Sequence, residues 1–206
     1  TDTVSTDPWG VVPQRLRPPR YRAELVRRGA LIDRLLDEDA ALVTVRAGAG
    51  YGKTTLLAQW VDADPRPAAW LSVDVADNDP VVLLRHLVRS LGSCGVDTST
   101  AEDLLQRREP QIAREVMPAL AVALESSDTH FVMVRDDVAL VDHRDAVATL
   151  DDLLDLVPDG STFALAGRAL PPLRLARRRL SGGLVQLEQR DLAYTATEAL
   201  AETRVI

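Results

Sequence analysis

The sequence predicts an α/β fold in which a parallel sheet is covered by helices on both faces. Three observations predict it. Five short apolar runs recur along the chain, each separated from the next by a helical stretch, and strands that alternate with helices build parallel sheets with right-handed crossovers. The runs are apolar for most of their length, as strands buried on both faces are. A glycine-rich turn joins the first run directly to a helix. With 206 residues the chain suffices for one domain of ordinary size with a buried core, and is too short for two large ones.

Residues 1–20 contain four prolines and read as an irregular leader, because each proline removes a donor and restricts its neighbour. From Glu24 to Leu36 the positions Leu25, Leu31, Ile32, Leu35 and Leu36 recur at helical spacing. Ala41 to Val45 is the first strand, leading into glycines, and a helix from about Thr54 to Val61 follows. Ala68 to Val73 is the second strand. Pro80 to Leu91 is the next long helix, introduced by Asp79 at a cap position and Pro80 in the first turn. Ser99 to Arg108 and Ile112 to Leu124 read as further helices. Phe131 to Val134 is the third strand and runs into Asp136 and Asp137. A helix near Arg144 to Leu156, a strand at Thr162 to Ala166, a basic helix near Leu173 to Leu180 and a strand at Leu184 to Leu187 complete the alternation. Thr195 to Thr203 reads as the start of another helix, and no internal repeat is visible.

Charge and composition exclude several classes. A formal net charge of −7 argues against a nucleic-acid-binding domain, which needs a concentrated positive surface. No apolar stretch approaches the roughly 20 residues that span a bilayer, and no charged-then-apolar secretory segment opens the chain. The single cysteine, Cys94, forms no disulfide within the chain and reads as an inert, partly buried thiol, so a reducing cytoplasm is the expected compartment. Thr rather than Met at position 1 suggests a piece of something longer. Of 24 basic residues Lys53 is the only lysine. GC-rich coding explains arginines on the surface; it does not explain why Lys53 was kept.

Lys53 stands in Ala47-Gly48-Ala49-Gly50-Tyr51-Gly52-Lys53-Thr54-Thr55, between a strand and a helix. This is the phosphate-loop pattern with Ala47 in place of the first glycine. Small residues let successive backbone N–H groups turn inward around phosphate oxygens, and the helix N-terminus adds positive partial charge. Lys53 would reach the β and γ phosphates, and the Thr54 hydroxyl would ligate Mg²⁺. A flexible ammonium is not replaceable by a planar guanidinium there. Tyr51 either packs or contacts ligand. Asp136 and Asp137, at the end of a strand, supply the carboxylates an NTPase needs: the first to hold Mg²⁺, the second to orient or activate water. The alternative is a plain turn capped by aspartates. Arg135 is odd for a buried strand, and would neutralise excess acid or face a crevice. Arg168 follows a strand end, where ligands of open α/β sheets bind, and is either a γ-phosphate sensor or one of a basic run with Arg174, Arg177, Arg178 and Arg179. Those four read as a solvated or interdomain face. His86, His130 and His143 lack metal-site spacing, and Trp60 and Trp70 read as core.

The strings AGAGYGKTTLLAQW, AAWLSVDVADNDP, VRDDVALVDH, AGRALPPLRLARRR and DLAYTATEALA, in that order, resemble the ATPase core of the large ATP-binding LuxR-type transcriptional regulators, the MalT-like branch of the STAND signalling NTPases. The resemblance runs from about Leu16 to the C-terminus. It implies a five-stranded parallel P-loop core of order 5-1-4-3-2 over residues 21–190, with residues 191–206 starting a truncated helical lid. It further implies that Gly48 to Thr55 bind ATP or ADP with Mg²⁺, Asp136 and Asp137 form the Walker B pair, Arg168 is a sensor, and Val26 and Arg28 lie near the adenine. Arg135 replaces a usual apolar residue, Ala139 a frequent histidine and Leu170 a common aspartate. These departures bear on hydrolysis more than on binding, so slow turnover is expected. Family members continue into a lid, an effector-binding repeat domain and a helix-turn-helix, and ATP favours an open, self-associating state. The expected module is therefore a nucleotide switch without DNA or membrane contacts of its own. The alternatives are a small-molecule kinase and a hydrolysis-deficient assembly module.

Overall fold

The computed structural model describes residue 9 and residues 12–21, 26–38, 40–180 and 182–194. The elements are α1 (Gly29–Asp37), β1 (Leu42–Arg46), α2 (Lys53–Ala63), β2 (Ala68–Ser72), α3 (Pro80–Gly92), α4 (Ser99–Gln106), α5 (Met117–Glu125), β3 (Val132–Asp136), α6 (Arg144–Leu154), β4 (Thr162–Gly167), α7 (Ala176–Leu180) and β5 (Leu184–Glu188). The five strands form one parallel sheet in the order β2-β3-β4-β1-β5, the order 5-1-4-3-2 read from the other side. The helix expected at Thr195 to Thr203 lies outside the described residues.

The two-residue period of each strand divides the core in two. Leu42, Ala69, Leu71, Met133, Phe163 and Leu165 point to one face, where α3, α4, α5 and α6 bury Leu84, Leu87, Leu91, Leu105, Leu120 and Leu150 against them. Val43, Val45, Trp70, Val132, Val134, Ala164 and Ala166 point to the other, covered by Ile32 and Leu35 of α1 and Leu56, Leu57 and Trp60 of α2. Trp60 and Trp70 are fully buried. Among the described residues no helix is long and apolar enough to cross a membrane.

Three segments differ from the periodicity. The first helix starts at Gly29 rather than Glu24: Val26 and Arg28 are held non-helical by Gln59, whose amide donates to the Val26 carbonyl (3.3 Å) and accepts from the Arg28 N–H (3.1 Å). Residues 112–116 form one wide π-type turn before α5, because Pro118 has no N–H to return to the preceding turn. The basic helix shortens to Ala176–Leu180, and Arg174 and Arg178 pair with Asp151, Asp152 and Asp155 on and beside α6. Those arginines are spent on the domain's own acids. The leader, too, is engaged where it is described: Pro13–Leu16 form a 3₁₀ turn, and Arg15 donates to the Ser72 carbonyl on edge strand β2 (2.9 Å).

Register sets the position of the loops. Arg46 is level with Gly167 across β1 and β4, Arg135 with Leu165 across β3 and β4, and Ser72 with Asp136 across β2 and β3. The loops after β1, β3 and β4 therefore open side by side at the carboxyl edge of the sheet.

Candidate nucleotide site

The loop between β1 and α2 turns through two left-handed glycines, Gly50 at φ 81° and Gly52 at φ 73°, a region where a side chain would be strained. Gly52 is the N-cap of α2, so Lys53 begins the helix. Lys53 is 9% exposed and its Nζ donates to the Gly48 carbonyl at 2.9 Å, folding back over the loop. One residue that sequence reasoning missed closes this loop from outside. Gln189, just after β5, accepts from the Gly48 N–H (3.2 Å) and donates to the Tyr51 hydroxyl (3.0 Å). Tyr51 thus packs over the loop while 41% of it stays exposed. A lone glutamine beyond a strand carries no signal in sequence, since its partners are 141 and 138 positions away.

Asp136 ends β3 with its side chain on the α2 face, by the same alternation that places Val132 and Val134 there. The Thr54 hydroxyl donates to its Oδ2 at 2.5 Å, and the Asp137 N–H donates to its Oδ1 at 3.0 Å. Burial raises its carboxyl above the ordinary range; the Thr54 bond opposes this and the Asp137 charge adds to it. Asp137 differs entirely. It takes a left-handed backbone, φ 59°, and turns into solvent. A cavity of about 300 Å³ lies there, lined by Ala49, Lys53, Asp137, Ala139, Leu140 and Arg168. Arg168 follows β4 immediately and so stands apart from the arginines paired with α6. Thr55 is half-buried in the first turn of α2.

Val26 and Arg28 do not line this cavity. The Arg28 guanidinium donates to the carbonyls of Leu192 (2.9 Å) and Ala193 (3.3 Å) and stacks on Tyr194, 4.9 Å from the ring centre. It ties the segment before α1 to the chain beyond β5.

The arrangement suits a divalent cation. A hydroxyl and a buried carboxylate already meet at Thr54 and Asp136, the oxygen donors that such a cation takes. Mg²⁺ needs only one or two such protein ligands when phosphates and water supply the rest.

Arg135 alternates to the opposite face and serves none of this. Fully buried, it donates to the carbonyls of Val134 (2.9 Å) and Ala69 (3.4 Å) and to the Ser90 hydroxyl (3.4 Å), and lies over Phe163. Burial pushes its pKa down to about 10, against the nearby charge of Asp77. It faces the α3 core rather than an open crevice. Asp77 itself is buried and kept below the usual carboxylate range: burial works against its charge, but His86, the Asp74 N–H and Arg15 outweigh it. Cys94 is buried, which raises its thiol pKa and leaves it protonated.

No protein-family model matches the chain. It is similar to HTH-type transcriptional regulators MalT: 29% identical over 191 residues to that of Yersinia enterocolitica, covering 92% of this chain and 21% of the relative. With MalT of Vibrio campbellii the identity is 27% over 189 residues, again across 21% of the relative. The chain thus spans about a fifth of the length of these curated relatives. Among solved structures it resembles Cdc6p from Pyrobaculum aerophilum, with a TM-score of 0.55, 14% identity, and coverage of 94% of this chain and 54% of that one. At that identity the likeness shows the fold alone.

Proposed function

From a chain that is related to the MalT transcriptional regulators and folds as a P-loop NTPase, we propose an ATP- and ADP-binding switch module that requires Mg²⁺ and turns over slowly. One observation carries the reading. Lys53, the Thr54–Asp136 pair, Asp137 and Arg168 come from the ends of three strands at one edge of the sheet, and three of them, Lys53, Asp137 and Arg168, line a single cavity. Backbone N–H groups of residues 48–54 and the start of α2 hold phosphate, and Lys53 exchanges the Gly48 carbonyl for phosphate oxygen. Thr54 and Asp136 hold Mg²⁺, which supplies charge neutralisation for the phosphates. Asp137, exposed and beside Lys53, accepts a hydrogen bond from water in the cavity and orients it. Arg168 lines the same cavity as Lys53, which favours the sensor reading over surface charge.

Turnover is slow because the water-orienting wall is poor in polar groups: Ala139 and Leu140 line it beside Asp137. Val26 and Arg28 would border the base, at the junction with the residues after β5. In a longer regulator, exchange of ADP for ATP at this site would change how that junction packs against following domains and favour self-association in the cytoplasm. Calorimetric titration with Mg-ADP and Mg-ATP tests the core of the proposal. Lys53→Ala should abolish measurable binding of both; equal affinity in the variant removes the site.

A further inference from the structure

We propose that Asn78 is a positioning residue for the γ-phosphate end of this pocket, and that it sets the preference for a nucleoside triphosphate over a diphosphate. The inference rests on the nucleotide reading of the cavity. Asn78 ends a 3₁₀ turn, residues 75–78, that follows β2. Its side chain reaches across to the loop after β3. Oδ1 accepts from the N–H groups of Asp142 (2.9 Å) and His143 (2.8 Å), and Nδ2 donates to the Leu140 carbonyl (2.7 Å) and the Val75 carbonyl (3.3 Å). All four hydrogen-bonding positions of the amide are used. A flipped amide would set its NH₂ against two N–H groups and its oxygen against two carbonyls, so the orientation is fixed by its partners.

The segment so held is the wall of the cavity. Asp137, Ala139 and Leu140 line it together with Ala49, Lys53 and Arg168. Its beginning is fixed by the bond from the Asp137 N–H to Asp136, and its end by Asn78. Between these anchors Asp137 keeps a left-handed backbone that a non-glycine residue holds only under constraint. The turn that carries Asn78 is itself immobilised, because neighbouring Asp77 is fully buried and bonded to His86 (2.6 Å), the Asp74 N–H (2.8 Å) and Arg15. On the nucleotide reading the backbone of the phosphate loop would hold the first two phosphates, and a third would enter the cavity bounded by this wall, Lys53 and Arg168. Loosening Asn78 therefore acts on ATP and spares ADP.

The test is titration of the chain with Mg-ADP and with a non-hydrolysable ATP analogue, for Asn78→Ala, Asn78→Asp and Lys53→Ala beside the unaltered chain. Asn78→Ala should lower the analogue-to-ADP affinity ratio about tenfold, with ADP affinity within about twofold. Asn78→Asp should lower it comparably, since it keeps the acceptor for Asp142 and His143 but turns a carboxylate oxygen against the Leu140 carbonyl. An unchanged ratio in both variants, or affinities for both nucleotides falling together, overturns the assignment. If Asn78→Ala does not fold, Asn78→Asp decides by the same ratio, and loss of the fold in both assigns the amide to folding and overturns it as well. Lys53→Ala keeps the two readings apart: were it to bind both nucleotides as the unaltered chain does, the nucleotide site itself would fail, independently of Asn78.

Discussion

Asp136 shows how a residue can be placed at the expense of folding stability. Its carboxyl is buried, and desolvation raises its pKa, so in the nucleotide-free chain the ionised form is disfavoured relative to the unfolded state. The sign follows: for an acid with a raised folded pKa, stability grows as pH falls through that pKa, and at neutral pH the group is a liability. Asp136→Asn keeps an acceptor for the Thr54 hydroxyl and removes the charge. It should raise the melting temperature of the nucleotide-free chain by roughly 2–4 °C at neutral pH while weakening Mg²⁺-dependent nucleotide binding, as read by calorimetry with and without a chelator. Lys53, Asp136 and Asp137 were legible in the sequence because their signal is contiguous: strand, small residues and lysine in one case, strand and paired acids in the other. The division of environment between the two acids was not legible. It comes from strand parity, which buries Asp136 beside Thr54, and from the left-handed turn that carries Asp137 outward.

The end of β4 packs tightly against the loop after β3. A Cβ added to Gly167 would stand 2.7 Å from the Ala169 carbonyl oxygen and 3.1 Å from the Ala139 N–H nitrogen, both backbone atoms that cannot rotate away. Gly167→Ala should therefore push the turn carrying Arg168 away from the loop after β3, at a cost of about 1–3 kcal/mol in stability measured by denaturant titration, and should weaken triphosphate binding more than diphosphate binding. Within the described residues the strands and most helices follow the periodicity, and the Asp79 cap of α3 is present, its carboxylate accepting from the N–H groups of Val81 (2.8 Å) and Val82 (3.3 Å). Errors fall at ends. Leu25 and Leu31 share helical spacing, but tertiary hydrogen bonds from Gln59 hold residues 26–28 out of the helix. The run with Arg174 and Arg178 looked like a solvated or interdomain face because its acidic partners, on and just beyond α6, are 22 or 23 positions earlier.

Across the whole molecule the leader and the sheet are joined by charge. Arg15 bonds the Ser72 carbonyl of the edge strand and pairs with Asp74 at 3.0 Å and with buried Asp77, while the Arg89 guanidinium lies over the Trp9 ring, 5.0 Å from the ring centre. Asp77 has a depressed pKa, so its stabilising contribution is complete above the ordinary value of 3.8 and fades as pH falls through its lower folded value. Arg15→Ala removes one of the partners that depress it. The acid-unfolding midpoint should then move to higher pH, followed through the fluorescence of the buried Trp60 and Trp70, with little change at neutral pH beyond a modest general destabilisation. An unmoved midpoint would leave Asp77 held by His86 and the Asp74 N–H alone. The sequence by itself determined the alternation of strands and helices, the phosphate loop and its single lysine, and the acids at the end of β3, because each is written in neighbouring residues whose spacing has a local physical meaning. Tertiary structure decided what surrounds them: Gln189 over the loop, Asn78 behind the cavity wall, Arg135 in the core and Arg15 on Asp77. Those pairings depend on which strands lie side by side and on which face each residue emerges, and sheet order and register, rather than local spacing, fix both.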